Sequence, residues 1–184
     1  MFKIVCYDLY LIVYFVHKPF EALQIRFTML SFNNGIPMRL ISYNILNPHH
    51  AVKWKTFEGI TVKGEDNWLP SRRNKVMRNL QLANFDVAAL QEISPKNHQD
   101  LSKIFSFAVF DTHTSSDGDK GLHGTGVLYN PQTVKLLKKS IYRTRGHHYR
   151  IATACDVQHI ESLMTLRIVS VHLKGYNPYE QDFS

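Results

Sequence analysis

Three polar residues stand where apolar runs stop. Asn44 sits near the end of "RLISYNIL", Glu92 near the end of "DVAALQEI", and His172 near the end of "MTLRIVSVHL". Each run has the length and the β-branched, aromatic or aliphatic content of a strand. A carboxylate inside an apolar run is costly unless paired, and at a strand end a hard cation is a good partner for it. Taken singly, each residue has a plainer reading. Asn44 could cap a turn, Glu92 could pair with an arginine, and His172 could be a half-buried polar side chain. The combination weighs against those readings, because the intervening elements bring the ends together.

The segment between the first two strands must carry the chain back. "RRNKVMRNLQLANF" after Ser71 places Val76, Leu80 and Ala83 on one helical face, with Ser71 as N-cap. Arg72, Arg73, Lys75 and Arg78 fall mostly off that face and read as its solvated side. A strand, a helix and a strand joined by a right-handed crossover lie parallel, with both carboxyl ends on one edge. Open α/β sheets bind ligands outside that edge. A polar stretch from Asn47 to Pro70, holding both tryptophans, is a long loop of the length usually kept for function. Ser94 and Pro95 open a short helix carrying Leu101, Ile104 and Phe105. Five strands follow: "FAVFDTHT", "TGVLYN", "VKLLKKSIYR", "IATACDVQHI" and "MTLRIVSVHL". The "SSDGDKGLHG" between the first two fits a hairpin loop, since it matches no phosphate-loop fingerprint. The order of elements indicates an α/β protein with mixed sheets.

Bulk properties set the limits. The chain has 184 residues, an apolar fraction of 44%, a formal charge of +7 and a pI near 9.4. That is one domain or slightly more, with ample material for a core and a preference for anionic partners. Two distant cysteines, Cys6 and Cys155, make neither a disulfide framework nor a zinc pattern, so a reducing, cytoplasmic setting is expected over a secreted or membrane-associated one. The apolar stretch Ile4 to Val16 is interrupted by Asp8, lacks a cleavage site and is too short to span a bilayer, so no stable membrane insertion is expected. Residues 1–37 are expected to be an extension outside the fold, which then runs over 38–184. "NPHH" and "GHHYR" lack zinc spacing with a third ligand. The oligomeric state is left open.

"MRLISYNIL", "FDVAALQEIS", "GTGVLYNP" and "RIVSVHLKG", in that order, resemble the endonuclease/exonuclease/phosphatase superfamily, whose fold is DNase I-like. The "SYNIL" form and the long loop before an arginine-bearing helix are most similar to its deadenylase-related branch. The resemblance implies a partial four-layer α/β sandwich with an incomplete second sheet. It implies that Glu92 is the magnesium ligand, with manganese able to replace magnesium, and that Asn44 lies beside it, holding metal or phosphate. It implies that His172 contacts the scissile phosphate or helps stabilise its transition-state charge. The substrate would be a phosphate ester, nucleic acid among the candidates, hydrolysed as a phosphodiester or a phosphomonoester.

The same family carries a later Asp-x-Asn strand and a final Asp-His pair, and neither occurs before Ser184. The resemblance therefore implies the N-terminal part of such an enzyme, with impaired activity. The alternative is a non-catalytic remnant that keeps a phosphate- or nucleic-acid-binding surface.

Overall fold

A computed structural model describes residues 6–7, 10–13, 25–31, 36–45, 68–114, 122–143 and 151–172. Among these, the elements in chain order are β1 (Cys6–Tyr7), β2 (Tyr10–Val13), β3 (Ile25–Ser31), β4 (Pro37–Asn44), α1 (Pro70–Ala83), β5 (Val87–Ile93), α2 (Pro95–Leu101), β6 (Ser106–Thr114), β7 (Leu122–Tyr129), β8 (Val134–Arg143), β9 (Ile151–His159) and β10 (Thr165–Val171). They build two mixed sheets, of order β3-β4-β5-β7-β6 (sheet I) and β1-β2-β10-β9-β8 (sheet II). Helices α1 and α2 cover one face of sheet I, and sheet II covers the other. Three layers of the expected sandwich are therefore described.

Two apolar clusters hold these layers. Met38, Leu40, Val87 and Val127 of sheet I meet Val157, Leu166 and Ile168 of sheet II. Ile41, Tyr43, Ala88 and Leu90, from the other face of sheet I, meet Val76 and Leu80 of α1 and Leu101 of α2. Val76 and Leu80 are one helical turn apart, so a single stripe of α1 is buried. Each such side chain stabilises by about 1.5–3 kcal/mol on burial. Helix α1 starts one residue before the expected cap: Leu69 is the N-cap, with no side-chain hydrogen bond, and Pro70 sets the first turn. Its end is a left-handed Asn84 (φ 43°). Helix α2 has a reciprocal capping box between Ser94 and Asn97. It stops at Leu101, so Ile104 and Phe105 lie beyond it rather than on it.

The boundary expected at Met38 is crossed by the sheet. Strand β3 pairs antiparallel with β4 from Ile25↔Tyr43 to Ser31↔Pro37. Strand β2 runs parallel to β10, with Leu11 opposite Ile168. Parts of residues 1–37 thus complete sheet edges, which leaves fewer backbone groups of β4 and β10 unpaired. Most of the Asn47–Pro70 stretch, residues 115–121 of the glycine-rich loop, "NPHH" and "GHHYR" lie outside the described residues, while Leu122–Gly124 at the end of that loop already belong to β7. Among the described residues, no helix is long and apolar enough to cross a membrane.

Candidate functional site

Strands β4 and β5 are parallel neighbours, with Asn44 in register with Gln91. In β4, Met38 and Leu40 face sheet II while Ile41 and Tyr43 face the helices, and the same alternation turns Asn44 toward sheet II. In β5, Val87 faces sheet II, and Ala88 and Leu90 face the helices. Unbroken alternation would send Glu92 to the helix side and Ile93 to the other. Instead the pairing of β5 with β7 slips between Gln91 and Ile93, and Glu92 takes a left-handed backbone (φ 58°). Ile93 thereby joins Leu90 in the helix-side core. Glu92 is turned to the upper edge beside Asn44. A bulge of this kind re-aims one side chain without disturbing the rest of the strand. A left-handed glutamate costs on the order of 1–3 kcal/mol, so the surrounding structure must impose it.

The three residues meet there. Asn44 Nδ2 donates to Glu92 Oε1 at 2.8 Å. His172 Nε2, just past the end of β10, lies 3.3 Å from the same oxygen. Glu92 and Asn44 are 2% and 6% exposed. A buried polar seam beneath them fixes the two sheets. Gln91 Nε2 donates to Ser42 Oγ (3.3 Å), to the Ala89 carbonyl (3.2 Å) and to Ser170 Oγ (3.3 Å). Ser170 Oγ donates to the Leu90 carbonyl at 2.7 Å. These bonds hold β10 at a set height against β5, and so hold His172, two residues further on, against Glu92.

Arg72 belongs to this site and contradicts the sequence reading, which put it on the solvated side. It is half-buried, and its Nη2 donates to the Ile45 carbonyl at 2.6 Å, at the exit of β4. Burial lowers the guanidinium pKa, while the nearby Tyr43 and Glu92 raise it. The missed signal was spacing: Arg72, Val76 and Leu80 recur at intervals of four and form one stripe. Tyr43, fully buried under α1, has its hydroxyl pKa raised by burial, against the opposing effects of Asn79 and Arg72. Cys155 is buried, and its thiol is pushed up to about 12 by burial and by Asp156, so it stays protonated and unreactive.

Among the described residues, no group of three or more His, Cys, Asp and Glu could cage a metal ion. The donor set nevertheless fits a hard cation. One buried carboxylate at a strand end, with a neutral amide beside it, suits magnesium, which uses one or two carboxylates and takes the remainder from water and phosphate.

This arrangement of two sheets and flanking helices is similar to that of several solved structures. The human Nocturnin catalytic domain matches with a TM-score of 0.55 and 18% identity, over 84% of this chain and 56% of that one. ANGEL2, a 2′,3′-cyclic phosphatase, matches with a TM-score of 0.58 and 14% identity, over 86% of this chain and 46% of its own. An endonuclease/exonuclease/phosphatase family protein from Bacteroides thetaiotaomicron matches with a TM-score of 0.56 and 15% identity, over 84% and 54%. The chain has the DNase I-like fold. Its bulged β5 and the β4 beside it are the part of that fold which carries the cluster. The chain spans about half the length of these structures. No protein-family model matches the sequence, and no curated protein does.

Proposed function

We propose that this DNase I-like domain is a magnesium-dependent hydrolase of phosphate esters. The observation that supports it is the bulge at Glu92, which places a buried carboxylate against Asn44 and His172 at the carboxyl edge of two parallel strands. Glu92 would hold the ion, with manganese as its substitute. When bound, the metal polarises a phosphoryl oxygen and stabilises charge on the leaving group. Asn44 fixes the carboxylate by its amide bond to Oε1. His172, at the lip of sheet II, directs its Nε2 toward the carboxylate and the space where a phosphate would sit, and as an N–H donor it stabilises charge on a phosphate oxygen. Arg72 adds positive potential from the helix side and braces the β4 exit that carries Asn44.

Magnesium binding is the deciding measurement. Calorimetric titration of the wild-type chain should show a magnesium site that Glu92→Gln removes. With bis-p-nitrophenyl phosphate, any magnesium-dependent turnover should fall to background in the same variant. Equal magnesium affinity in the two proteins would overturn the assignment. Retained magnesium and phosphate binding with background turnover in both would favour the second reading, a binding remnant.

A further inference from the structure

A cavity of about 330 Å³ lies at the edge of sheet I opposite to Glu92. Its walls come from the C-terminal end of α1 (Gln81, Asn84), from Phe85 just before β5, from Phe105 just before β6 and from Asn130 just after β7. Strand β5 begins where β7 ends, with Val87 opposite Tyr129. From Val87, Glu92 stands about 16 Å away along the strand, at roughly 3.3 Å per residue. The cavity is therefore a separate place from the cluster of Asn44, Glu92 and His172.

Three features agree on what it would bind. The chain carries 22 lysines and arginines, yet among the described residues no charged side chain lines this cavity. Helix α1 keeps Arg72, Arg73, Lys75 and Arg78 ahead of its last turn and has no basic residue in it. An α-helix leaves its last carbonyls without intrahelical partners and gathers about half a negative charge there. The N–H of the left-handed Asn84 takes one of these carbonyls, that of Gln81, at 3.2 Å. A cation near that end is favourable, and the turn itself brings none. The third feature is aromatic: the rings of Phe85 and Phe105 stand 5.9 Å apart, tilted by 37°. An aromatic face attracts a cation within about 6 Å of its centre. The carboxylate next in sequence, Asp86, is held by Arg39 and Thr133, so it does not neutralise a cation here.

We propose that this cavity takes the guanidinium of an arginine side chain on a partner peptide, whether or not the edge at Glu92 hydrolyses phosphate esters. A guanidinium is planar and stacks on aromatic rings, and its fork of N–H donors needs acceptors. Amide oxygens and helix-end carbonyls are such acceptors. Gln81, Asn84 and Asn130 bring the amides. Asn130 Oδ1 already accepts from the Gln132 backbone N–H at 3.0 Å and keeps a second lone pair. A quaternary ammonium has no N–H and would leave those acceptors unused. Free arginine would bring a carboxylate into a cavity that has no cation to meet it. An arginine within a peptide carries no such group, which makes a peptide the fitting source. Docking at this edge leaves the opposite edge, with Glu92, uncovered.

The test is a proton–nitrogen NMR titration of the full chain, without metal, using N-acetyl-arginine amide as the probe. Resonances of Gln81, Asn84 and Phe105 should shift together, while those of Asn44 and Glu92 stay in place. N-acetyl-citrulline amide, the uncharged isostere, should bind about tenfold more weakly. N-acetyl-lysine amide, a cation without the planar fork, should bind about fivefold more weakly. Gln81→Lys puts a cation at the end of α1 and should abolish binding with thermal stability unchanged or raised, since the charge suits the helix end. Gln81→Met, which stays neutral, should keep most of the affinity. Phe105→Leu keeps apolar bulk without the ring and should weaken binding about threefold, with circular dichroism to confirm that it is folded. Absent shifts at the cavity, equal affinity for the arginine and citrulline compounds, or unchanged binding by Gln81→Lys overturns the proposal. Equal affinity for the lysine compound overturns the guanidinium assignment. Free arginine binding as tightly as the blocked form would make this a site for a small molecule and overturn the peptide.

Discussion

Strand β5 is flanked by two buried carboxylates, and they live differently. Asp86, before its start, and Glu92, near its end, are each 2% exposed. Asp86 is tied on several sides. It accepts from the Arg39 backbone N–H at 2.6 Å and from Thr133 Oγ1 at 2.8 Å, with the Arg39 guanidinium at 3.5 Å. Its own backbone bonds to Arg39 and Asn130. It knots β4, β5 and the β7–β8 turn together. Glu92 instead has a neutral amide and an imidazole on one oxygen, a guanidinium near by, and a left-handed backbone. Equal burial thus serves opposite ends. A carboxylate with matched partners in relaxed geometry stabilises the fold. One in a left-handed backbone at a sheet edge costs stability, and its surroundings must hold it there.

The largest expected effect is on stability. Asp86→Ala should lose about 2–4 kcal/mol in urea unfolding, because buried donors are left unsatisfied. Glu92→Gln should stay within about 1 kcal/mol of wild type, since the strained residue contributes little to the fold. Equal losses would erase the contrast. A smaller effect sharpens it: Glu92→Asn should gain about 0.5–1 kcal/mol, because asparagine tolerates positive φ, while magnesium binding disappears. A loss of stability in that variant would mean that the glutamate is a structural anchor after all.

The smallest effect concerns a third carboxylate, Asp100 at the end of α2. Its pKa lies below the ordinary 3.8, first through the hydrogen bond from Lys103, with Trp68 and Arg73 adding to it and burial opposing. Because the folded value is the lower one, the stabilisation is fully present above the unfolded pKa. It is lost as the pH falls through the folded value. Lys103→Met should therefore be less stable than wild type above about pH 4, and the two acid-unfolding curves should merge once the pH has fallen below the lowered pKa of Asp100. A gap that persists at low pH would show that Lys103 acts by packing alone.

Much of this was legible in the chain. Apolar runs ending in polar residues located β4, β5 and β10, because a buried strand must stop where it meets water. The spacing of Val76 and Leu80 located the buried face of α1. Strand β3 was not legible, because edge strands are specified by the partner they pair with rather than by a strong pattern of their own. Arg72 was assigned to solvent by its charge, although its four-residue interval to Val76 already placed it on the buried stripe.

The sequence by itself determined that Asn44, Glu92 and His172 stand at strand ends, since period-two runs and their stops are local properties of the chain. It could not determine the face of the sheet that Glu92 serves. Alternation alone directs that side chain under the helices. Only the slip of β5 against β7, with the left-handed turn it forces, brings the carboxylate out to Asn44 and His172. The bulge depends on a partner strand thirty residues away and on Ile93 being drawn into the core, and both are products of tertiary packing.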